Sequence, residues 1–216
     1  MEAADVLRAE ASQDAVFGFA TGNTPLNIYA ELQRSGPIQI GGAFSLDEYV
    51  GLNEDDERSF AWYVKNRIEP ALGLPTGFIS CPNGAAHDVS AEAARFEASI
   101  FQSPIDIQLL GTGRNGHVAF NEPGSSADSL TRIVDLDEIT RIDNGADFGG
   151  LAPSQAITQG VGTILRAKKL LLVATGKGKA EPIRRLLAGE KDAQWPLTLL
   201  LDHPDLLVLV DRAAVD

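Results

Sequence analysis

Residues 105–126 constrain this chain more than any other stretch. An apolar run, Ile105 to Leu110, leads without a spacer into Gly111-Thr-Gly-Arg-Asn-Gly-His-Val-Ala-Phe-Asn-Glu-Pro-Gly, and on to Ser126. A buried strand that empties into a glycine-rich polar loop is how α/β proteins hold chemistry over a sheet, because the scaffold keeps the loop side chains still. The glycines permit tight turns. Asn115, His117 and Glu122 supply a titratable imidazole and two polar partners.

The same pattern recurs twice. Val16 to Ala20 is followed by Thr21-Gly-Asn-Thr-Pro25 and a helical pattern through Leu32, with Pro25 suited to a first helical turn. Lys169 to Ala174 is followed by Thr175-Gly-Lys-Gly-Lys-Ala180, opening another helix. Such turns leave unpaired N–H groups at a helix N-terminus and can bind an anion through Gly22, Asn23 and Thr24; Lys177 and Lys179 would reinforce it. The plainer alternatives are a βα turn that needs a glycine and a solvated basic loop.

The remaining pattern supplies the scaffold. Residues 1–13 have helical spacing, and residues 38–46 read as a second strand that ends in Ser45-Leu46-Asp47-Glu48-Tyr49. The adjacent carboxylates Asp47 and Glu48 fit a catalytic base or a helix start, and local sequence favours the helix start. Helices are expected over Asp55 to Pro70, Ala91 to Phe101 and Gln155 to Ile164, and strands over Phe78 to Cys81, Thr131 to Leu136 and Leu206 to Val210. Trp195 to Leu201 is a further apolar stretch near the end, and Asp143 to Gly150 reads as a mobile loop. His87-Asp88 has the look of a metal-ligand pair but fits a turn or helix cap better. Alternating strands and helices without repeats or linkers predict a single domain over residues 1–216. The expected architecture is an α/β three-layer sandwich with a mainly parallel, Rossmann-like central sheet and ligands at the carboxyl ends of its strands.

Charge and composition narrow the partners. With 18 basic and 30 acidic side chains the net charge is −12, which argues against nucleic acid and an anionic membrane surface. It leaves an anionic small molecule open, since distant charges are screened. Cys81 is the sole cysteine, so no disulfide framework or cysteine metal cluster is expected. No leader is visible at the start, and runs such as Leu170 to Ala174 are too short to span a bilayer, so a cytoplasmic protein is expected.

Three chemistries compete for the central loop. Gly111-x-Gly113-x-x-Gly116, with Asp135 and Asp137 some twenty residues on, matches a dinucleotide fingerprint. That fingerprint needs a helix from its third glycine, and Pro123-Gly124 would stop one within two turns. An acid–base site is the second reading, since an imidazole with pKa of about 6.5 both takes and gives a proton near neutrality. A satisfied turn histidine is the third, and spacing alone leaves the last two equal.

A resemblance separates them. Gly113 through Ser126, together with Ser-Leu-Asp-Glu-Tyr-Val-Gly-Leu at 45–52 and Ala-Thr-Gly-Asn-Thr-Pro-Leu at 20–26, resembles the glucosamine-6-phosphate deaminases (isomerising), which share a fold with the 6-phosphogluconolactonases. Gln159-Gly-Val-Gly-Thr-Ile and Gly176 to Ala180 follow in the expected order, and the likeness runs from about residue 6 to the C-terminus. It implies conversion of glucosamine 6-phosphate and water to fructose 6-phosphate and ammonia, with neither metal nor organic cofactor. By position, His117 would open the sugar ring, supported by Asn115 and Glu122, and Asp47 would carry a proton from C2 to C1. Glu48 would sit by the substrate and tune Asp47, while Gly22, Asn23, Thr24 and Lys179 would hold the phosphate.

Three departures qualify that picture. Asn115 stands where some members have aspartate, a subgroup trait. Ala146, in Thr140-Arg-Ile-Asp-Asn-Gly-Ala146, replaces an arginine expected on the phosphate, with Lys177 or Arg141 as possible substitutes. The family's first strand is absent and the C-terminus short; of a basic allosteric pair, Arg132 is present and Val134 replaces the other. No activation by an amino-sugar phosphate is therefore expected. A lactonase or isomerase acting on another sugar phosphate, and a non-catalytic sensor, remain alternatives. The partner is a phosphorylated amino sugar in each deaminase reading, and the chain is a monomer or a homo-oligomer.

Overall fold

A computed structural model describes residues 2–215. In chain order its elements are α1 (Ala3–Glu10), β1 (Val16–Phe19), α2 (Leu26–Arg34), β2 (Gly42–Ser45), β3 (Asp47–Tyr49), α3 (Phe60–Tyr63), α4 (Glu69–Leu72), β4 (Ile79–Ser80), α5 (Val89–Gln102) and β5 (Ile107–Leu110). Then follow β6 (Arg132–Asp135), α6 (Glu138–Asp143), β7 (Gln155–Thr158), α7 (Val161–Ile164), β8 (Lys169–Ala174), α8 (Ala180–Leu187) and β9 (Leu206–Val210).

Six strands form an all-parallel sheet in the order β4-β2-β1-β5-β8-β9, flanked by helices. Its central strands read as apolar runs because both faces are covered: Phe17, Phe19, Ile107, Leu109 and Leu170 to Leu172 are all buried. Gly18 is required in β1, since a Cβ there would overlap the buried amide of Gln108. The chain builds outward from β1 to one edge and from β5 to the other, so the strand order reverses between them. That reversal puts the turn after β1 and the loop after β5 side by side, where open α/β sheets bind ligands. No helix among the described residues is long and apolar enough to cross a membrane.

A second, antiparallel sheet of order β3-β7-β6 corrects two expectations. Asp47–Tyr49 is a strand and not a helix start: Asp47 pairs with Thr158 and Tyr49 with Ala156. Gln155 to Ile164 is not one helix. Its first half is β7, and α7 begins only after Gly160, where a side chain would strike the Ser129 and Leu130 carbonyls. Long-range pairing overrides a pattern too short to distinguish the two periods.

Other elements shift in their limits. The helix expected from Asp55 begins at Phe60, where the Ser59 hydroxyl accepts the Trp62 N–H at 2.9 Å. It continues through a π turn at Val64–Ile68 into α4 and ends on Gly73 in the left-handed region, φ 71°. The stretch expected to be a mobile loop is the end of α6 followed by a 3-10 turn, Gly145–Phe148. Trp195 to Leu201 lies largely in a 3-10 helix, Pro196–Asp202. Asp88 caps α5, accepting from Ser90 and Ala91, and among the described residues no group of three or more potential ligands is arranged to hold a metal. A small aromatic core of Tyr49, Phe60, Phe120 and Phe148 ties β3, the start of α3, the central loop and the 145–148 turn together.

Candidate active site

The site grows from the two adjoining strand ends. After β1 the chain turns at Gly22, φ 91°, so Asn23 and Thr24 lead into α2. The Tyr63 hydroxyl donates to the Gly22 carbonyl at 2.8 Å, fixing this turn against α3. After β5 the loop doubles back: Gly116 takes φ 81°, and a side chain on Gly113 would collide with the His117 ring. Gly113 is therefore what lets the imidazole lie against the backbone. Ala119 holds the only positive φ of a non-glycine residue among those described, 52°, two positions after His117. Asn121 anchors the strained segment, its amide donating to Val118 and Gln159 carbonyls at 2.9 and 2.8 Å.

Gly22, Asn23, Thr24, Asp47, His117 and Lys179 all line one cleft of about 330 Å³. They come from the β1 turn, β3, the β5 loop and the β8 turn. Lys179 is half-buried, and loss of water lowers its pKa, with Asp143 opposing and Arg114 adding to that effect. Asp47 is 5% exposed. Burial first, and the neighbouring Glu48 charge second, raise its pKa well above the carboxylate range.

Asn115 and Glu122 stand outside the cleft lining and behind the imidazole. The Asn115 amide donates to Glu122 Oε2 at 2.7 Å, and the same oxygen lies 3.5 Å from His117 Nδ1. The Asn115 side-chain oxygen accepts the backbone N–H of His117 at 3.3 Å. Burial opposes ionisation of Glu122, but bonds and charge from His117, then bonds from Thr140 and Asn115, outweigh it and hold the carboxyl below its ordinary value. A carboxylate on Nδ1 fixes the ring so that Nε2 is the atom left to exchange a proton.

Glu48 lies elsewhere. It is 1% exposed and lines a second cavity of about 520 Å³, with Cys81 and Glu69. Its Oε1 accepts the N–H groups of Tyr49 and Phe60 at 2.8 and 3.1 Å, and Oε2 that of Ala61 at 2.7 Å. It holds the start of α3 and is not among the residues that line the cleft, where sequence reading expected it beside the substrate. Lys177 and Arg141 do not line the cleft either; Arg141 donates to the Ala152 carbonyl. Ala146 does line it, as do Arg58, Ser59 and Tyr63, which sequence reading did not single out for function. Thr140, 3.3 Å from His117 Nδ1, was visible only as part of a motif.

Fold and cleft define an α/β protein with a buried carboxyl side chain, an oriented imidazole and a glycine turn at the switch point of a parallel sheet. The family model for glucosamine-6-phosphate isomerases/6-phosphogluconolactonase matches residues 2–208, and the chain belongs to that family. Among its relatives, the glucosamine-6-phosphate deaminase of Beutenbergia cavernae is 43% identical, over 95% of this chain and 82% of that protein. The Mycolicibacterium smegmatis enzyme of the same name is 42% identical, over 98% and 85%. A solved monomeric glucosamine-6-phosphate deaminase superposes with TM-score 0.93 at 40% identity, covering 98% of this chain and 92% of that one. The 6-phosphogluconolactonase of Thermotoga maritima shares the fold at TM-score 0.73 and 19% identity, over 96% and 89%.

Proposed function

We propose that this chain is a glucosamine-6-phosphate deaminase, releasing fructose 6-phosphate and ammonia. One observation carries the reading: Asp47 and His117, from separate elements, line the same cleft as the Gly22–Thr24 turn and Lys179. Relatives of that name at about two-fifths identity support the substrate class.

The phosphate binds at the β1 turn and Lys179, fixing one end of the sugar so that its other end meets the acid–base groups. His117 Nε2 protonates the ring oxygen as the C1 hydroxyl loses its proton, and the ring opens to the aldehyde. Glu122 stabilises the imidazolium that forms in this exchange. Asp47 then takes the C2 proton, giving an enolamine, and delivers a proton to C1. The resulting C2 iminium adds water and expels ammonia, leaving the ketose. A buried carboxyl with a raised pKa suits a group that must both accept and return a proton.

The test is a substrate panel. Glucosamine 6-phosphate should give ammonia and fructose 6-phosphate in equal amounts. Faster turnover of galactosamine 6-phosphate or 6-phosphogluconolactone would move the assignment to those substrates, and tight binding without turnover would make the chain a sensor.

A further inference from the structure

The cleft lining carries four carboxyl side chains, Asp47, Glu57, Asp143 and Asp147, against two basic ones, Arg58 and Lys179. A phosphate monoester brings a further charge of about −1.5 to −2 near neutrality. Lys179 cannot balance that alone, because burial already disfavours its ammonium form. Arg58 is the other cation at hand, and its surroundings hold it ready. It directly precedes Ser59, the N-cap of α3, and one turn later Tyr63 bonds the Gly22 carbonyl of the anion-binding turn. Its guanidinium lies over the Phe148 ring, 5.4 Å from the centroid, and Phe148 follows the cleft residue Ala146 by two positions. Arg58 thus lines the same cleft as the Gly22–Thr24 turn and lies over the 3-10 turn that carries Phe148. Nε and Nη2 are engaged by Asp56 at 2.8 and 2.6 Å, which fixes the fork; Nη1 has no bond among the described residues.

We propose that Arg58 is a second phosphate-binding residue of this cleft, donating through Nη1 while Asp56 holds its orientation, and that it makes the site selective for phosphorylated over unphosphorylated amino sugars. This rests on the reading of the cleft as a sugar-phosphate site. A planar, always-charged donor supplies what a lysine weakened by burial does not.

The experiment measures inorganic phosphate binding by calorimetry, and KM and kcat for glucosamine 6-phosphate, in the native chain, Arg58→Gln and Arg58→Lys. Arg58→Gln is expected to weaken phosphate and raise KM by about ten- to a hundredfold, the loss of one charge-assisted bond, with kcat little changed. Arg58→Lys keeps the charge, guards against a folding defect, and should recover part of the affinity. Unaltered phosphate affinity in a folded Arg58→Gln would overturn the proposal and reduce Arg58 to a surface pair with Asp56. Phosphate binding needs no turnover, so a native chain that binds phosphate through Arg58 yet releases no ammonia would sink the deaminase reading alone.

Discussion

Asp47 and Glu48 are neighbours in β3 and face opposite ways. Asp47 lines the cleft that holds His117, while Glu48 turns to the second cavity and receives the backbone N–H groups of Phe60 and Ala61. The alternation is a strand property. It divides an apparent carboxylate pair into one group that lines the cleft and one that joins β3 to α3.

That division has a pH signature. Burial pushes the Glu48 carboxyl from 4.5 up to about 7, against the backbone bonds that lower it, with Asp56 adding a little. The folded state therefore binds the extra proton, so this contribution to stability is complete below about 4.5 and is lost as pH rises through 7. Urea unfolding between pH 4.5 and 8 should show a decline on the order of 2–3 kcal/mol from this group. Glu48→Gln should flatten that slope and, above pH 7, cost about 1–3 kcal/mol where its amide meets the Ala61 N–H.

The imidazole and its support should separate by size of effect. His117→Gln is expected to lower kcat by about 10²–10⁴-fold, the range for a positioned acid–base group. Glu122→Gln, which leaves the ring in place but removes the carboxylate at Nδ1, should cost about ten- to a hundredfold. Equal losses would mean that Glu122 itself meets the substrate.

Lys179 should control affinity. Lys179→Gln is expected to raise KM about ten- to a hundredfold with a smaller effect on kcat. Because burial lowers the pKa of this lysine, its ammonium is lost at lower pH than usual, and KM for the native chain should climb on the alkaline side. Lys179→Arg should remove that climb, and a KM that stays flat would contradict the assignment.

Arg132 offers no free fork for an effector. It donates to Asn121 Oδ1 at 2.9 Å and the Ser125 hydroxyl at 3.3 Å, and its neighbour across one residue is Val134. Initial rates should stay hyperbolic in substrate and unchanged by an added non-substrate amino-sugar phosphate; sigmoidal rates relieved by such a compound would refute this.

What the sequence made legible is local. Apolar runs emptying into glycine turns at 20–26, 111–126 and 175–180 located three of the six parallel strands and half of the cleft, because turn chemistry is written in consecutive residues. Strands β3 and β7 were not legible. Three or four residues carry too little periodicity, and the burial of the carboxylates in β3 comes with long-range packing, including the pairing of β3 with β7. Arg58 and Thr140 were missed for a related reason: each reaches the site through folding and not through a motif. Arg58 sits in an ordinary charged turn, Asp55-Asp-Glu-Arg58, with nothing local to mark it.

Ammonia release by Asp47→Asn tests the mechanism most directly. The substitution keeps size and burial but removes the carboxyl proposed to move the C2 proton. A folded Asp47→Asn that still binds glucosamine 6-phosphate should release ammonia about 10²–10⁴-fold more slowly than the native chain. Release at the native rate would contradict Asp47 as the proton carrier.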